Sequence, residues 1–173
     1  ASLKSINLNS PMNPGAIEFF SLARHPVKFR LFLLGKLPSA YFSGVRVKSI
    51  SPSACQVTVP YGWFSRNPFR STYFACLSMA AEMSTGALAM GYTFKRSPAV
   101  SLLVTRVEST YTKKATGITT FTCDEGERIA EIVEAAVTTG EAQMITLRSV
   151  GKNNQGEVVA EFQITWSFKS KKS

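Results

Sequence analysis

Glu82 is the one charged residue between Arg70 and Lys95, inside the stretch STYFACLSMAAEMSTGALAMGYTF from Ser71 to Phe94. A carboxylate taken out of water has its charged form disfavoured and, once ionised, is a stronger base than a solvated one. It can then draw a proton from water or attack an electrophilic carbon. A perturbed carboxylate facing a cleft is a functional-site candidate. The competing reading is structural, with Glu82 hydrogen-bonded to Asn67, Arg70 or a partner subunit. The residues alone leave both open.

The element that must position Glu82 is a helix. The stretch has no proline, is rich in Ala, Leu and Met, and opens on Ser71 and Thr72, whose hydroxyls can cap free backbone N–H groups. A helix from about Thr72 to Met90 is expected. Phe74, Leu77, Met79, Ala81, Met83, Leu88 and Met90 point in nearly every direction around it, so it should be wrapped by other structure. Ala75, Cys76, Ser78, Ala80 and Gly86 suit close approach of neighbouring backbone. Glu82, the hydroxyl residues and two glycines argue against a membrane span, which needs about 20 predominantly apolar residues.

At 173 residues the chain fits one domain that buries its core without disulfide support. Cys55, Cys76 and Cys123 lie far apart with no CxxC pair, which suggests buried thiols in a reducing compartment rather than a disulfide framework or zinc site. The start of the chain lacks the basic-then-apolar order of a signal peptide, so a cytoplasmic location is expected. The formal charge is +9. The basic residues are spread along the chain without a nucleic-acid motif, so no nucleic-acid partner is expected. A phosphorylated carrier of small size would be drawn to the same surface, and Lys169, Lys171 and Lys172 read as a solvated tail.

Taken in order, Asn13-Pro14 opens a helix to about Arg24, and Pro26 opens a second that stops near Gly35. Phe19, Phe20, Phe29, Phe32 and Leu33 give the pair a greasy side, expected either to pack on the domain or to form a mobile cover or membrane-surface anchor. His25, the sole histidine, reads as a cap or surface residue in the turn between them. GVRVKSIS and ACQVTVPY alternate as two strands about Ser51-Pro52-Ser53. The loop GWFSRNPFRS then leads into the core helix. AVSLLVTRVESTYTK and GITTFTCDE read as a second strand pair, Glu127 to Val137 as a helix, and AQMITLRSVGK with EVVAEFQITWSFK as a hairpin about Asn153-Asn154-Gln155-Gly156. One buried helix among about six antiparallel strands asks for a curved sheet wrapped round it, an α+β architecture.

In this order of elements the sequence resembles the hotdog fold of the acyl-CoA thioesterases, over roughly Phe42 to Phe168. It is most similar to the branch related to phenylacetyl-CoA-type thioesterases, within a subgroup of unknown function. That likeness implies a single hotdog domain over 1–173, with an N-terminal helical extension over 1–41 and the hotdog core over 42–173. In the branch a loop Asn precedes a His-Gly-Gly turn, and an acidic residue follows fifteen positions after the Asn. Asn67 and Glu82 stand at that spacing, whereas Tyr73, Phe74 and Ala75 replace the turn. The resemblance implies Glu82 as base or nucleophile, Asn67 orienting water or the thioester carbonyl, and the Phe74 N–H at the helix start receiving the oxyanion. It further implies Tyr73, Ser71 and Thr72 near substrate, Tyr61, Trp63, Phe64 and Phe69 along an acyl tunnel, and Arg66, Arg70, Lys95, Arg96, Lys113 and Lys114 near phosphates. No cofactor is implied beyond coenzyme A as part of the substrate. The implied partners are acyl-CoA or another acyl thioester and a second copy of the chain, in a dimer or a tetramer.

Two other classes stay in view. A non-catalytic acyl-binding or scaffold protein would explain the replaced turn. A dehydratase would need a histidine near the carboxylate, and His25 lies outside the central helix.

Overall fold

In the computed structural model the structure describes residues 12–171. Lys169 and Lys171 are exposed, but Lys169 belongs to the last strand, opposite Ser101, and not to a free tail; Lys172 and the first residues, on which the signal-peptide expectation rests, lie outside that range.

Three helices come first: α1 (Pro14–Arg24), α2 (Pro26–Lys36) and α3 (Pro38–Phe42). Asn13 Oδ1 accepts from Gly15 N at 3.3 Å and caps α1. His25 closes α1 and caps α2, its Nδ1 accepting from Lys28 N at 3.4 Å. Each helix has proline at its first turn, where the missing N–H is no loss. The five-residue α3 is an addition to the expected order, too short to carry a periodic signal.

Strands β1 (Arg46–Ile50) and β2 (Cys55–Val59) form the expected hairpin, followed by the central α4 (Phe74–Thr93). The helix begins later than expected and is not capped by the hydroxyls before it. Ser71 bonds with Asn67 instead, and both the N–H and the Oγ1 of Thr72 donate to Ala115 O, at 2.8 and 3.1 Å. Tyr73 holds the N-cap position with no side-chain bond.

Strand β3 (Val100–Tyr111), β4 (Thr119–Cys123), α5 (Gly126–Thr139), β5 (Gln143–Lys152) and β6 (Val158–Ser170) complete the chain. The sheet order is β1-β2-β4-β5-β6-β3, antiparallel throughout. One expectation is corrected here: β3 and β4 do not pair. β4 adds to β2, from Cys55 opposite Cys123 to Val59 opposite Thr119, and β3 runs along β6 from Val100↔Ser170 to Tyr111↔Ala160. The reason lies in β6, where Phe162, Ile164, Trp166 and Phe168 alternate into the core. A strand so buried needs a neighbour on each side, and the 12-residue β3 matches its length where the five-residue β4 does not.

The sheet curves round α4, which buries Leu77, Ala80, Ala81, Leu88 and Ala89. Three polar contacts fix the helix: Ser84 Oγ to Ser149 Oγ at 2.8 Å, Trp166 Nε1 donating to Thr85 Oγ1 at 3.0 Å, and Tyr92 OH donating to Pro52 O at 2.9 Å. Helix α1 crosses α4 closely, since a Cβ on Gly91 would stand 2.4 Å from the Phe20 ring. One buried apolar cluster joins Phe19, Phe20 and Leu33 of α1 and α2 to Leu88, Phe121 and Phe162. This is the hotdog architecture. Cys55, Cys76 and Cys123 are buried free thiols, and burial pushes Cys55 and Cys123 up, the latter to about 11. Among the described residues no helix is long and apolar enough to cross a membrane.

Candidate active site

Glu82 sits about two turns into α4, eight residues after Phe74. Its carboxylate has no hydrogen-bond partner among the described residues, and burial pushes its pKa above the ordinary glutamate value. Its backbone is held more firmly: Thr85 Oγ1 donates to Glu82 O at 2.9 Å while accepting from the Trp166 indole. The carboxylate lies in the wall of a cavity of about 130 Å³, lined otherwise by Phe29, Phe32 and Leu33 of α2, Met83 and Gly86 of α4, Trp166 of β6 and their neighbours. Such a group can accept a proton or attack an electrophile placed in that cavity.

A second hollow, of about 590 Å³, opens at the start of α4 between the loop 67–74 and the segment 111–115. The N–H groups of Phe74 and Ala75 find no acceptor among the described residues, so the positive end of a 20-residue helix faces this hollow. Asn67 is committed to the turn before it. Its Oδ1 accepts from Phe69 N at 3.0 Å and from Ser71 N at 3.1 Å, and its Nδ2 bonds Ser71 Oγ at 3.1 Å. Arg70, left-handed at φ 59°, turns the chain into the helix. Phe69, Ser71, Thr72, Tyr73, Phe74, Lys113 and Lys114 line the same hollow.

Within one chain, then, Asn67 and the helix start share one hollow and Glu82 belongs to another, with no lining residue in common. Tyr61, Trp63 and Phe64 line neither. Trp63 and Phe64 stand out on the loop, 72% and 61% exposed, with ring centroids 4.7 Å apart, and Phe64 lies 5.8 Å from Phe42. Lys95 is paired with Glu18 at 2.6 Å and Arg96 with Glu134 at 2.7 Å. Lys113 is paired with Glu157. Arg66 and Arg70 are exposed and have no carboxylate partner among the described residues, and Lys114 Nζ reaches only Phe69 O, at 3.5 Å. No group of three or more His, Cys, Asp and Glu among the described residues is placed to hold a metal.

Sequence reasoning missed Trp166, Gly86 and Leu102 as neighbours of Glu82. The alternation of β6 points Trp166 inward onto α4, and the register of β3 beside β6 brings Leu102 into the same cavity.

A family model described as "Domain of unknown function (DUF4442)" matches residues 29–168. No match emerges among curated protein sequences. Solved structures share the fold. The chain is similar to PA5026 of Pseudomonas aeruginosa, described as a protein of unknown function and "Probable Thioesterase", at 23% identity and a TM-score of 0.71, over 84% of this chain and 97% of that one. It is similar to a protein of unknown function from Chlorobaculum tepidum at 17% identity and a TM-score of 0.71, over 86% and 99%. It is also similar to the thioesterase HI1161 of Haemophilus influenzae, at 10% identity and a TM-score of 0.58, over 81% and 88%.

Proposed function

We propose that this chain, which belongs to the family described as Domain of unknown function (DUF4442), hydrolyses acyl-CoA or a related acyl thioester, with Glu82 as general base or nucleophile. The observation that carries the reading is the unpartnered, desolvated carboxylate of Glu82 on the central helix beside an apolar cavity. The fold is shared with proteins described as thioesterases. The Phe74 N–H and the dipole of α4 would stabilise the oxyanion, since preorganised donors gain most where water is excluded. Asn67 holds the turn that shapes this end of the site. Tyr73, Ser71, Thr72 and Phe69 would flank the substrate there, with Lys114, Arg66 and Arg70 the cations best placed for coenzyme A phosphates. Tyr61, Trp63 and Phe64 would meet the substrate only at the loop's outer edge, and Lys95 and Arg96 only by releasing Glu18 and Glu134.

Two copies would unite the two hollows. β3 is a sheet edge of 12 residues with Leu103, Val107 and Tyr111 exposed. The other edge, β1, is short and bulged between Val47 and Ser49. An unpaired edge so long and apolar invites another strand. β3 carries Leu102 from the Glu82 cavity near its start and Tyr111 from the helix-start hollow at its end. Antiparallel pairing of β3 with its copy would therefore set each Glu82 cavity beside the helix start of the other subunit. The free, buried thiols suit a reducing compartment such as the cytoplasm.

The direct test is release of free thiol from a panel of acyl-CoAs by the native protein and by Glu82→Gln. Turnover by the native dimer, lost in the folded variant, is the expected result. Equal turnover by both proteins overturns the role of Glu82. A second reading, a non-catalytic acyl-binding protein, is favoured by one observation: Asn67 spends its side chain on its own turn. Saturable acyl-CoA binding without turnover would select it.

A further inference from the structure

We infer that the site beside Glu82 accepts a compact apolar acyl group, up to about the size of a benzene ring, and rejects long straight chains. The substrate half of this inference rests on the hydrolase reading, and the size limit rests on the cavity.

The cavity measures about 130 Å³. A dry, apolar protein cavity of about 150 Å³ takes one benzene molecule, so the space beside Glu82 holds about four to six carbon atoms. Its one ionisable group is Glu82; the remaining walls are aliphatic, aromatic and glycine. An acyl group can thus lie in the cavity with its carbonyl end at the carboxylate, while a charged or strongly polar group would lose its water without replacement.

The far wall is built to stop a chain rather than to let it through. Phe29 and Phe32 of α2 are stacked, with ring centroids 5.5 Å apart and planes at 16°. Phe19 of α1 meets both edge-on, at 6.3 and 6.5 Å, and contacts Phe94 at 5.5 Å. Phe19, Phe29 and Leu33 are at most 5% exposed. α1 is itself anchored, because Phe20 lies against Gly91 so closely that a Cβ there would overlap its ring. A longer chain would have to break this interlocked wall, and packed interiors yield little to added methylenes. α1 and α2, outside the sheet that makes the fold, thereby act as the gauge of acyl length.

The test is kcat/KM of the native protein for straight-chain acyl-CoAs from acetyl to hexadecanoyl and for benzoyl-CoA. Butanoyl, hexanoyl and benzoyl thioesters are expected to exceed dodecanoyl by at least about tenfold. Phe32→Ala, and independently the half-exposed Leu37→Ala, should move the optimum to longer chains by enlarging the far end. Binding is read in parallel, from quenching of Trp166 by the heavy-atom probes 4-bromobutanol and 12-bromododecanol in a Trp63→Phe background, which leaves Trp166 the sole tryptophan. Turnover of dodecanoyl-CoA equal to or above that of hexanoyl-CoA overturns the size limit and leaves the hydrolase intact. Quenching by 4-bromobutanol alone, with no thioester turned over, overturns the hydrolase and upholds the size limit. Neither turnover nor quenching overturns both.

Discussion

A Cβ placed on Gly86, one turn after Glu82 on the same face of α4, would stand 2.9 Å from Glu82 Oε1 and 3.2 Å from the Trp166 ring. The glycine keeps the carboxylate's rotamer open. Gly86→Ala gains helix propensity, about 1 kcal/mol in an unobstructed helix, and offsets it by crowding the indole. Stability should therefore change by less than about 1 kcal/mol, measured by urea unfolding. The carboxylate tip, being flexible, must swing away, so kcat should fall at least about tenfold with KM nearly unchanged.

Glu82→Gln should lower kcat/KM by about 10²-fold or more, the usual worth of a positioned acid or base. In the native protein kcat/KM should rise with pH, because the ionised form is the active one. Its acid limb should lie above the range of a solvated carboxylate, since burial raises the Glu82 pKa. A limb at the ordinary carboxylate position would assign the titration to another group.

The same substitution should stabilise the fold at neutral pH and above. The raised pKa means that the folded chain binds more protons than the unfolded chain between the two pKa values, so stability falls as pH rises through that window. Gln cannot ionise and escapes the loss. The variant's Tm should exceed the native one at pH 8 by a few degrees, at about 2–4 °C per kcal/mol for this size. The difference should close below the ordinary glutamate pKa.

Leu103→Lys and Val107→Lys place charge on the exposed face of the unpaired β3 edge. Either should shift a dimer to monomer by light scattering, weakening association about 100-fold or more, and should remove turnover with it. A monomeric native protein at working concentration would sink the two-subunit site.

Arg66→Ala, Arg70→Ala and Lys114→Ala should each raise KM for an acyl-CoA about two- to tenfold, the scale of a partly exposed charge contact. None should alter turnover of the same acyl group on a thiol that lacks phosphates. Lys95→Ala should change neither, its charge being held by Glu18.

Much of the fold was legible because its signals are local. Asn13-Pro14, His25-Pro26 and the Asn153 turn mark ends of elements, and strict alternation marks β2, β5 and β6. Glu82 stood out as a lone charge in an apolar helix. What the sequence left out is what distance decides. β3 and β4 are consecutive, so a hairpin was the natural reading, yet the burial demand of β6 draws β3 away. Ser71 and Thr72 read as caps because helix propensity is local, while their true partners, Asn67 and Ala115, depend on the loop geometry. The separation of Asn67 from Glu82 could not be seen in a spacing of fifteen, because Asn67 lies off the helix.

The pairing of β3 with β6 also sets the order of folding. Val100 must wait for Ser170, and Tyr111 for Ala160. At a synthesis rate of about 5–20 residues per second, β3 is without its mate for several seconds after it is made. The β1–β2 hairpin can close early, whereas the strand with the most exposed apolar edge must wait for the last strand of the chain. For that interval the nascent chain carries an adhesive strand, and it is then that a holding chaperone would have most to do.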